Sequence, residues 1–516
     1  MVQGVSSDAG KSLLVTALCA WSRRLGIRAV PFKAQNMSNN ARTVDGGEIG
    51  SAQWLQALAA GVDPDVRMNP VLLKPESETR SQVVLNGVVS EELTSMPWRG
   101  RSARLWPHVT AALASLSDEF DVVIIEGAGS PAETNLWSDD IANMAVADAA
   151  DAPVVLVADI DRGGAFAHLY GTWALFPTPW QARIEGFVLN KFRGDPDLLA
   201  PAPDDLAAVT GVPTVGVLPW LDHGLPDEEG PTPIAGPGRG RQVSIVCGPF
   251  ASNLDEFAPL QQVADVSWVR AAGRLGYADL IILPGSKHVA HDLDWLRRTG
   301  LAGAVTRAAQ DGTPVLGVCG GLQMLGRQID DPEGVEGAAV GLGLLPVETH
   351  YRASKRTARS SASFGPLAPP WSWLGGRQVS GYEIRHGTTR ALAPVEVVPG
   401  GLAFGAANVM GLYLHGLFED PAVLEAFCGR VPPLLGSTFE QLADAVDEHL
   451  DTGWIRSRLG GAGDAQASGP VGRPEPSSLI EHRQGIERRQ LIEHRQLIEH
   501  RQLIEPRHGI EHRHGI

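Results

Sequence analysis

The chain has 516 residues, of which 43% are hydrophobic and 20% are charged. At roughly 150 residues per domain, this length predicts about two to four domains with hydrophobic cores of their own. The 43 Lys and Arg residues against 59 Asp and Glu residues give a formal net charge of −16. This balance argues against a general nucleic-acid binder, because phosphate affinity depends on clustered basic side chains.

Four cysteines are scattered along the chain without a Cys-x-x-Cys pair: Cys19, Cys247, Cys319 and Cys428. This spacing argues against a disulfide framework or a structural zinc site and favours a reducing compartment. We find no signal-peptide pattern at the N-terminus and no run that approaches the roughly 18 apolar residues of a membrane span. We therefore expect a cytoplasmic protein that does not associate with membranes.

Continuous apolar runs alternate with helical stretches in the first part of the chain, at residues 122–125, 154–157, 186–189 and 215–218. Strands buried on both faces have this pattern, so we predict an α/β fold with a parallel sheet. A segment rich in Gly, Pro and acids follows at residues 224–241, and its composition is typical of a linker between domains.

A second α/β pattern follows the linker, with strand-like runs at 243–246, 280–283, 315–318 and 409–414. Residues 439–450 then predict an amphipathic helix. The end of the chain repeats six residues of the type Leu-Ile-Glu-His-Arg-Gln. Its histidines allow metal binding, but a disordered low-complexity extension fits this composition better. The predicted boundaries are 1–224 for the first domain, 225–241 for the linker, 242–458 for the second domain and 459–516 for the tail.

The segment from Gly4 to Ser12, Gly-Val-Ser-Ser-Asp-Ala-Gly-Lys-Ser, has the pattern of a phosphate-binding loop that leads into a helix. Its glycines let backbone N–H groups face phosphate oxygens, and the helix N-terminus adds its dipole. In this pattern Lys11 reaches the terminal phosphates and Ser12 binds Mg²⁺. The five residues between Gly4 and Gly10 are one more than in the standard loop. This longer loop resembles the loop of dethiobiotin-synthetase-like enzymes.

Acidic side chains lie where such a site needs them. Glu126 follows the buried strand at 122–125, and the carboxyl end of a parallel strand lies in the ligand crevice of an α/β sheet. Asp45 and Glu48 offer a second acid. Two carboxylates, Ser12 and phosphate oxygens would form the oxygen-only shell that suits Mg²⁺. Alternatively, Glu126 could cap a helix and Asp45 could be a turn residue.

Residues 315–321, Val-Leu-Gly-Val-Cys-Gly-Gly, predict a second site. Small residues around Cys319 permit the tight, strained turn of a nucleophile elbow, where the Gly320 amide can face an oxyanion. The other three cysteines are expected to be small buried hydrophobes.

The nucleophile needs a base, and His415 is the best candidate because it follows a strand-like run. We expect the other histidines considered, His288, His350 and His386, to be surface or structural residues.

Six strings in the first domain resemble the cobyric acid synthase family: residues 2–12, 32–38, 68–75, 126–133, 158–164 and 190–195. The resemblance implies that the loop, including Asp8, binds ATP and Mg²⁺ together with Lys33, Asp45 and Glu126. It also implies two further roles. Asn190 would face the adenine, and Asp140 would lie near the substrate carboxylate, although residues 137–139 depart from the charged stretch expected there.

Residues 319–323, Cys-Gly-Gly-Leu-Gln, resemble the Cys-x-Gly-x-Gln motif of class I glutamine amidotransferases. The resemblance implies that Cys319 attacks glutamine and releases ammonia through a thioester. The amides of Gly285 and Gly320 would hold the oxyanion, and Gln323 would help to bind glutamine.

The acid that usually lies two residues after the histidine is missing, because Leu417 occupies that position. Glu419 lies too far along the chain to replace it simply. We therefore expect a Cys319–His415 dyad of modest activity, in which no carboxylate stabilises the protonated histidine.

An ATP site and a glutaminase site on one chain predict the amidation of a carboxylate through an acyl phosphate. Free ammonia would be protonated in water, so we expect a sheltered path between the two domains. The resemblance covers about residues 1–450 and implies the acceptor: the b, d, e and g carboxylates of adenosylcobyrinic acid a,c-diamide, converted to adenosylcobyric acid in cobalamin biosynthesis. The expected partners are this corrinoid and L-glutamine, and the oligomeric state stays open.

Three alternatives are weighed against this interpretation. A sister amidase acts on the a and c carboxylates, but its glutamate motif continues with bulky residues. A partitioning-type switch ATPase would carry an extra lysine early in the loop, where this chain has Ser-Ser-Asp-Ala. A scaffold with a decayed glutaminase domain is disfavoured by the intact Cys319, His415 and Gln323.

Overall fold

The computed structural model describes residues 1–76, 80–226 and 240–459. Most of the predicted linker and all but the first residue of the predicted tail lie outside these ranges. Within them, the predicted mixed α/β class with parallel sheets is confirmed. No helix of the described ranges combines the length and the apolar character that crossing a bilayer requires.

The first half contains twelve strands and eight α-helices in its described residues. The strands are β1 (Val2–Gly4), β2 (Ala29–Phe32), β3 (Gln35–Met37), β4 (Ala41–Val44), β5 (Gly47–Gly50), β6 (Val71–Pro75), β7 (Ser81–Leu85), β8 (Val88–Val89), β9 (Val122–Ile125), β10 (Val154–Asp159), β11 (Ile184–Phe192) and β12 (Thr214–Pro219). The helices are α1 (Lys11–Arg24), α2 (Ser51–Ala60), α3 (Glu91–Ser95), α4 (Arg101–Glu119), α5 (Met144–Ala149), α6 (Ala165–Leu175), α7 (Thr178–Gln181) and α8 (Ala202–Thr210).

Parallel pairing defines the sheet of this half. Its strand order is β1-β10-β11-β12, and β2 pairs in parallel with β9. A parallel bridge between Val2 and Glu126 joins the two groups of strands. The four apolar runs predicted as strands are confirmed as β9 to β12. Because β9 ends at Ile125, Glu126 lies at the carboxyl edge of this sheet, beside the loop that follows β1.

The second half contains the remaining elements. Its strands are β13 (Gln242–Val246), β14 (Ala251–Ser252), β15 (Asp265–Val269), β16 (Leu280–Leu283), β17 (Gly285–Ser286), β18 (Val315–Val318), β19 (Gln328–Asp330), β20 (Ala339–Val340), β21 (Val347–Ser363), β22 (Gln378–Ala391), β23 (Glu396–Val398), β24 (Ala403–Ala406) and β25 (Val409–Leu412). Its helices are α9 (Ala258–Val263), α10 (Val289–Arg298), α11 (Leu301–Gln310), α12 (Gly320–Leu325), α13 (Pro421–Cys428), α14 (Leu435–His449) and α15 (Thr452–Leu459).

A seven-stranded sheet in the order β15-β13-β16-β18-β25-β24-β23 forms the centre of the second half. The first five strands pair in parallel, and β24 and β23 add antiparallel pairs. The predicted strands are confirmed, although the last one ends at Leu412. The long antiparallel hairpin of β21 and β22 was not predicted, and it contacts β4 of the first half.

The predicted amphipathic helix is confirmed as α14, which packs against α1 of the first half. Its apolar side, with Phe439, Leu442 and Val446, joins the hydrophobic cluster beneath the first sheet. The Trp21 indole N–H donates to the Asp447 carboxylate at 2.6 Å. The described chain therefore returns to its N-terminal half before it ends.

Candidate active sites

The loop between β1 and α1 has the geometry of a phosphate-binding loop. Gly10 has a φ of 95°, and a Cβ atom there would lie 1.9 Å from Asn190 Nδ2, so only glycine fits. The Lys11 ammonium donates to the carbonyl oxygens of Ser6 and Gly129, both at 3.1 Å. The loop is thus closed around the lysine side chain at a helix N-terminus, where anions bind favourably.

Glu126 is the centre of a buried polar cluster beside this loop. Its Oε1 accepts from the Ser12 hydroxyl at 2.7 Å and from the Lys33 ammonium at 2.8 Å. Its Oε2 accepts from the Gln56 amide at 2.6 Å. The structure therefore brings Ser12, Lys33 and Glu126 together, and it adds Gln56, which the sequence interpretation missed. The hard oxygen donors of Ser12 and Glu126 fit Mg²⁺.

Asp45 lies apart from this cluster. It is exposed at the turn between β4 and β5, where its backbone bridges to Asp65. Among the described residues, the structure therefore does not bring Asp45 to Ser12 and Glu126. The neighbouring acid Glu48 is buried and accepts from the Lys74 ammonium at 2.7 Å and from Lys355 of β21.

Asp8 is part of the loop between β1 and α1, and Asn190 contacts that loop. The Asn190 amide donates to the Ala9 carbonyl at 3.0 Å. This hydrogen bond connects β11 to the loop. Asp8 has a φ of 61°, and its carboxylate pairs with Arg162. The structure thus places both residues at the loop.

A cavity of about 740 Å³ opens beside the loop and is lined by both halves of the chain. Lys11, Lys33 and Asp140 line it from the first half, and Arg270 lines it from the second. Asp140 accepts from the backbone N–H groups of Ala142 and Asn143 at 2.9 and 3.0 Å. Burial raises the pKa of Asp140 against the effect of these bonds. The cavity therefore offers both cations and an acid to a ligand.

Cys319 lies at a sharp turn between β18 and α12, with φ 52° and ψ −105°. A Cβ atom at Gly317 would lie 2.5 Å from the Gly321 carbonyl carbon, and one at Gly321 would lie 1.9 Å from the Leu283 oxygen. The turn is therefore possible only with glycines on both sides. The thiol donates to the Ile384 carbonyl at 3.5 Å.

His415 lies next to Cys319 and hydrogen-bonds its side chain. The imidazole stacks on the Tyr382 ring, with centroids 5.1 Å apart and planes at 16°. Its Nδ1 atom is 2.8 Å from Glu256 Oε1. Burial lowers the pKa of His415, but the charges of Glu256 and Cys319 outweigh burial and raise the pKa to about 10.

The expectation that His415 has no carboxylate partner is wrong, because Glu256 contacts it. Glu256 precedes His415 by 159 residues and lies on the short helical turn Leu254–Phe257. No spacing rule connects such distant positions. The available signal was an acid pair, Asp255 and Glu256, between the apolar residues Leu254 and Phe257, since charged residues in an apolar segment are buried only when they are paired.

Two backbone segments face each other beside the cysteine. A Cβ atom at Gly320 would lie 2.7 Å from the Ser286 backbone nitrogen. One at Gly285 would lie 3.1 Å from His415 Cε1. Both glycines therefore lie beside Cys319 and His415, and the binding of an oxyanion by their amides stays a prediction.

The Gln323 side-chain amide is hydrogen-bonded through both its nitrogen and its oxygen. Its nitrogen donates to the His386 carbonyl and the Tyr413 hydroxyl, both at 3.3 Å, and its oxygen accepts from Tyr351 at 2.9 Å. A cavity of about 40 Å³ adjoins Cys319 and is lined by Gln323 and His386. His386, expected to be a surface or structural residue, therefore faces the site.

Both halves of the chain match protein families. Residues 1–228 match the CobQ/CobB/MinD/ParA nucleotide binding domain, and residues 242–423 match the CobB/CobQ-like glutamine amidotransferase domain. These matches define a protein that joins a nucleotide-binding domain to a glutamine amidotransferase domain.

Curated relatives identify the family. The cobyric acid synthase of Variovorax paradoxus is 56% identical over 473 residues, which cover 89% of this chain and 98% of the relative. That of Paracidovorax citrulli is 55% identical over 487 residues, which cover 89% of this chain and 99% of the relative. The chain belongs to the cobyric acid synthase family.

Proposed function

We propose that the chain amidates the b, d, e and g carboxylates of adenosylcobyrinic acid a,c-diamide, with ATP and glutamine, to give adenosylcobyric acid in cobalamin biosynthesis. Membership of the cobyric acid synthase family supports this choice of acceptor. The observation that carries the chemistry is the presence of two buried clusters, around Glu126 and around His415, next to cavities that both halves of the chain line. The four free cysteines favour a reducing compartment such as the cytoplasm.

The first reaction takes place in the larger cavity. A substrate carboxylate oxygen attacks the γ-phosphorus of ATP, ADP leaves, and an acyl phosphate forms. Lys11 and Lys33 line this cavity and neutralise the charge that develops during the transfer. Ser12 and Glu126 would hold Mg²⁺, which screens the phosphate charge when bound, and Asn190 is the candidate contact of the adenine.

The second reaction takes place at the cysteine. The Cys319 thiolate attacks the side-chain amide carbon of glutamine, and protonated His415 supplies the proton with which ammonia leaves. The backbone amides of Gly285 and Gly320 hold the oxyanion. Water then cleaves the thioester and releases glutamate, while ammonia attacks the acyl phosphate and displaces phosphate.

We further propose that ammonia passes from one site to the other beside Asn39. This residue lines both the 740 Å³ cavity and the 40 Å³ cavity at Cys319. Its side-chain oxygen is buried and has no hydrogen-bond partner among the described residues. A buried oxygen without a partner can accept a hydrogen bond from an ammonia molecule that moves between the two cavities.

The Cys319→Ala variant tests the division into two reactions. We expect it to lose glutamine-dependent amidation and to keep amidation with ammonium chloride, because only the nitrogen source is removed. Product formation with each nitrogen source is the measurement, and Cys428→Ala, at a half-buried cysteine of α13, is the matched control. A Cys319→Ala protein that ammonium chloride does not rescue would contradict two separable sites.

A further inference from the structure

We propose that Glu256 is the positioning acid of the glutaminase and that Arg42, from the first half of the chain, fixes the turn that carries it. The proposal rests on the glutaminase chemistry proposed for Cys319 and His415. It assigns to the synthetase half a direct part in building the glutaminase site.

Both carboxylate oxygens of Glu256 form hydrogen bonds at His415 or at the residue that follows it. Oε1 is 2.8 Å from His415 Nδ1, and Oε2 accepts from the Gly416 backbone N–H at 2.7 Å. The side chain is completely buried. Holding the ring and the backbone together fixes the orientation of the imidazole and stabilises its protonated form, as the acid of a catalytic triad does.

A second acid near His415 forms an ion pair with a different side chain. Glu419, four residues after the histidine, pairs with the Arg42 guanidinium at 2.5 Å. The groups that face the imidazole are Glu256, Cys319 and the Tyr382 ring. Arg42 lies over the same Tyr382 ring, 5.1 Å from its centroid. Glu256 is thus the carboxylate in direct contact with the ring.

Arg42 holds the turn through the residue next to Glu256. The Asp255 carboxylate pairs with the Arg42 guanidinium, and both side chains are buried. On the same turn, the Leu254 N–H donates to Asn40 Oδ1 at 3.0 Å, and the Asn253 amide donates to the Ala41 carbonyl at 2.7 Å.

Residues 40–42 of the first half therefore anchor residues 253–255, and these place Glu256 against His415. A change in the position of β4 would reach the catalytic histidine through a single turn. This connection gives the two halves a physical means of coordinating glutamine cleavage with amidation.

The first test compares Glu256→Gln, Glu256→Asp and the control Glu348→Gln in the full-length protein. Glu348 lies on β21, partly exposed, and pairs with Arg390 at 3.0 Å. We expect Glu256→Gln to lower kcat of glutamine hydrolysis by about 10³-fold or more, as loss of a triad acid does, with little change in KM. Glu256→Asp should recover part of this loss, and amidation with ammonium chloride should persist in all three variants.

The pH profile separates positioning from a general structural effect. Without the carboxylate, the alkaline limb of the kcat profile should move to lower pH by about one to three units, because His415 loses an opposite charge in contact. A Glu256→Gln protein with kcat within about twofold of the wild type and an unchanged profile would overturn the proposal. Absent glutaminase activity in the wild type and in Glu348→Gln would instead contradict the proposed function.

The second test is Arg42→Lys, which keeps a charge but cannot bridge Asp255 and Glu419 as a fork. We expect kcat of glutamine hydrolysis to fall about 10- to 100-fold, the range for a misplaced catalytic group. Retained amidation with ammonium chloride would establish that the protein is folded. If that activity is retained and glutaminase kcat is unchanged, Arg42 does not fix the turn.

Discussion

Glu126 is hydrogen-bonded to three side chains through its two carboxylate oxygens. One oxygen receives both the Ser12 hydroxyl and the Lys33 ammonium, and the other receives Gln56. A glutamine at this position would be neutral, so it could neither balance Lys33 nor hold a metal as a carboxylate does. We expect Glu126→Gln to lower amidation at least about 100-fold with either nitrogen source, because a bound metal supplies several kcal/mol of charge stabilisation.

Glutamine hydrolysis provides the internal reference for this variant, because Glu126 has no part in it. The control Glu119→Gln removes an exposed acid of α4 that pairs with Arg67. Equal loss of amidation and of glutamine hydrolysis in Glu126→Gln would indicate a general structural role and contradict the proposed site.

At the scale of elements, the turn between β18 and α12 depends on a close approach to β16. A Cβ atom at Gly321 would lie 1.9 Å from the Leu283 carbonyl oxygen, and no side-chain rotation can relieve this contact with the backbone. We expect Gly321→Ala to destabilise the protein by about 3 kcal/mol or more, at the upper end for overpacking, and to abolish glutamine hydrolysis. Urea denaturation measures the first effect.

The matched control is Gly171→Ala in α6, where an added Cβ atom meets nothing within 4 Å. This substitution should stabilise the protein by about 0.5–1 kcal/mol, because alanine favours a helix interior. Equal stabilities of the two variants would show that the close approach of the turn to β16 does not constrain Gly321.

At the scale of the whole molecule, a buried group of charges joins the two halves. Glu48 of β5 contacts Lys74 of β6 and Lys355 of β21, and it is 1% exposed. Removing the acid leaves buried lysines without compensation, so Glu48→Gln should destabilise the protein by about 3–5 kcal/mol. Glu92→Gln, which breaks an exposed pair with Arg104, should change stability by less than about 1 kcal/mol.

The stability contributed by Glu48 depends on pH. Burial raises the pKa of Glu48, but Lys355 and Lys74 outweigh burial and lower the pKa to about 2. Because this value lies below the ordinary glutamate pKa of about 4.3, the contribution is complete above pH 4.3 and is lost as pH falls through 2. Urea denaturation from neutral to acid pH should show the difference between wild type and Glu48→Gln shrinking in this window, and a constant difference would contradict the assignment.

Parts of this structure could be predicted from the sequence and others could not. The runs at 122–125 and 315–318 predict strands because both of their faces are apolar. Cys319 was identifiable because its glycines serve a local turn. The β21–β22 hairpin carries Lys, Arg and Ser along an exposed length and lacks that signal. Glu256 is placed by contacts between distant segments, which local patterns do not record.

We propose that one chain cleaves glutamine and uses the ammonia to amidate a corrinoid. The most direct measurement incubates the protein with ATP, Mg²⁺, glutamine and adenosylcobyrinic acid a,c-diamide and follows the mass of the corrinoid. We expect small stepwise mass losses, one for each carboxylate converted to an amide, that stop after the fourth. Glutamine hydrolysis without any change in corrinoid mass would contradict the proposed acceptor.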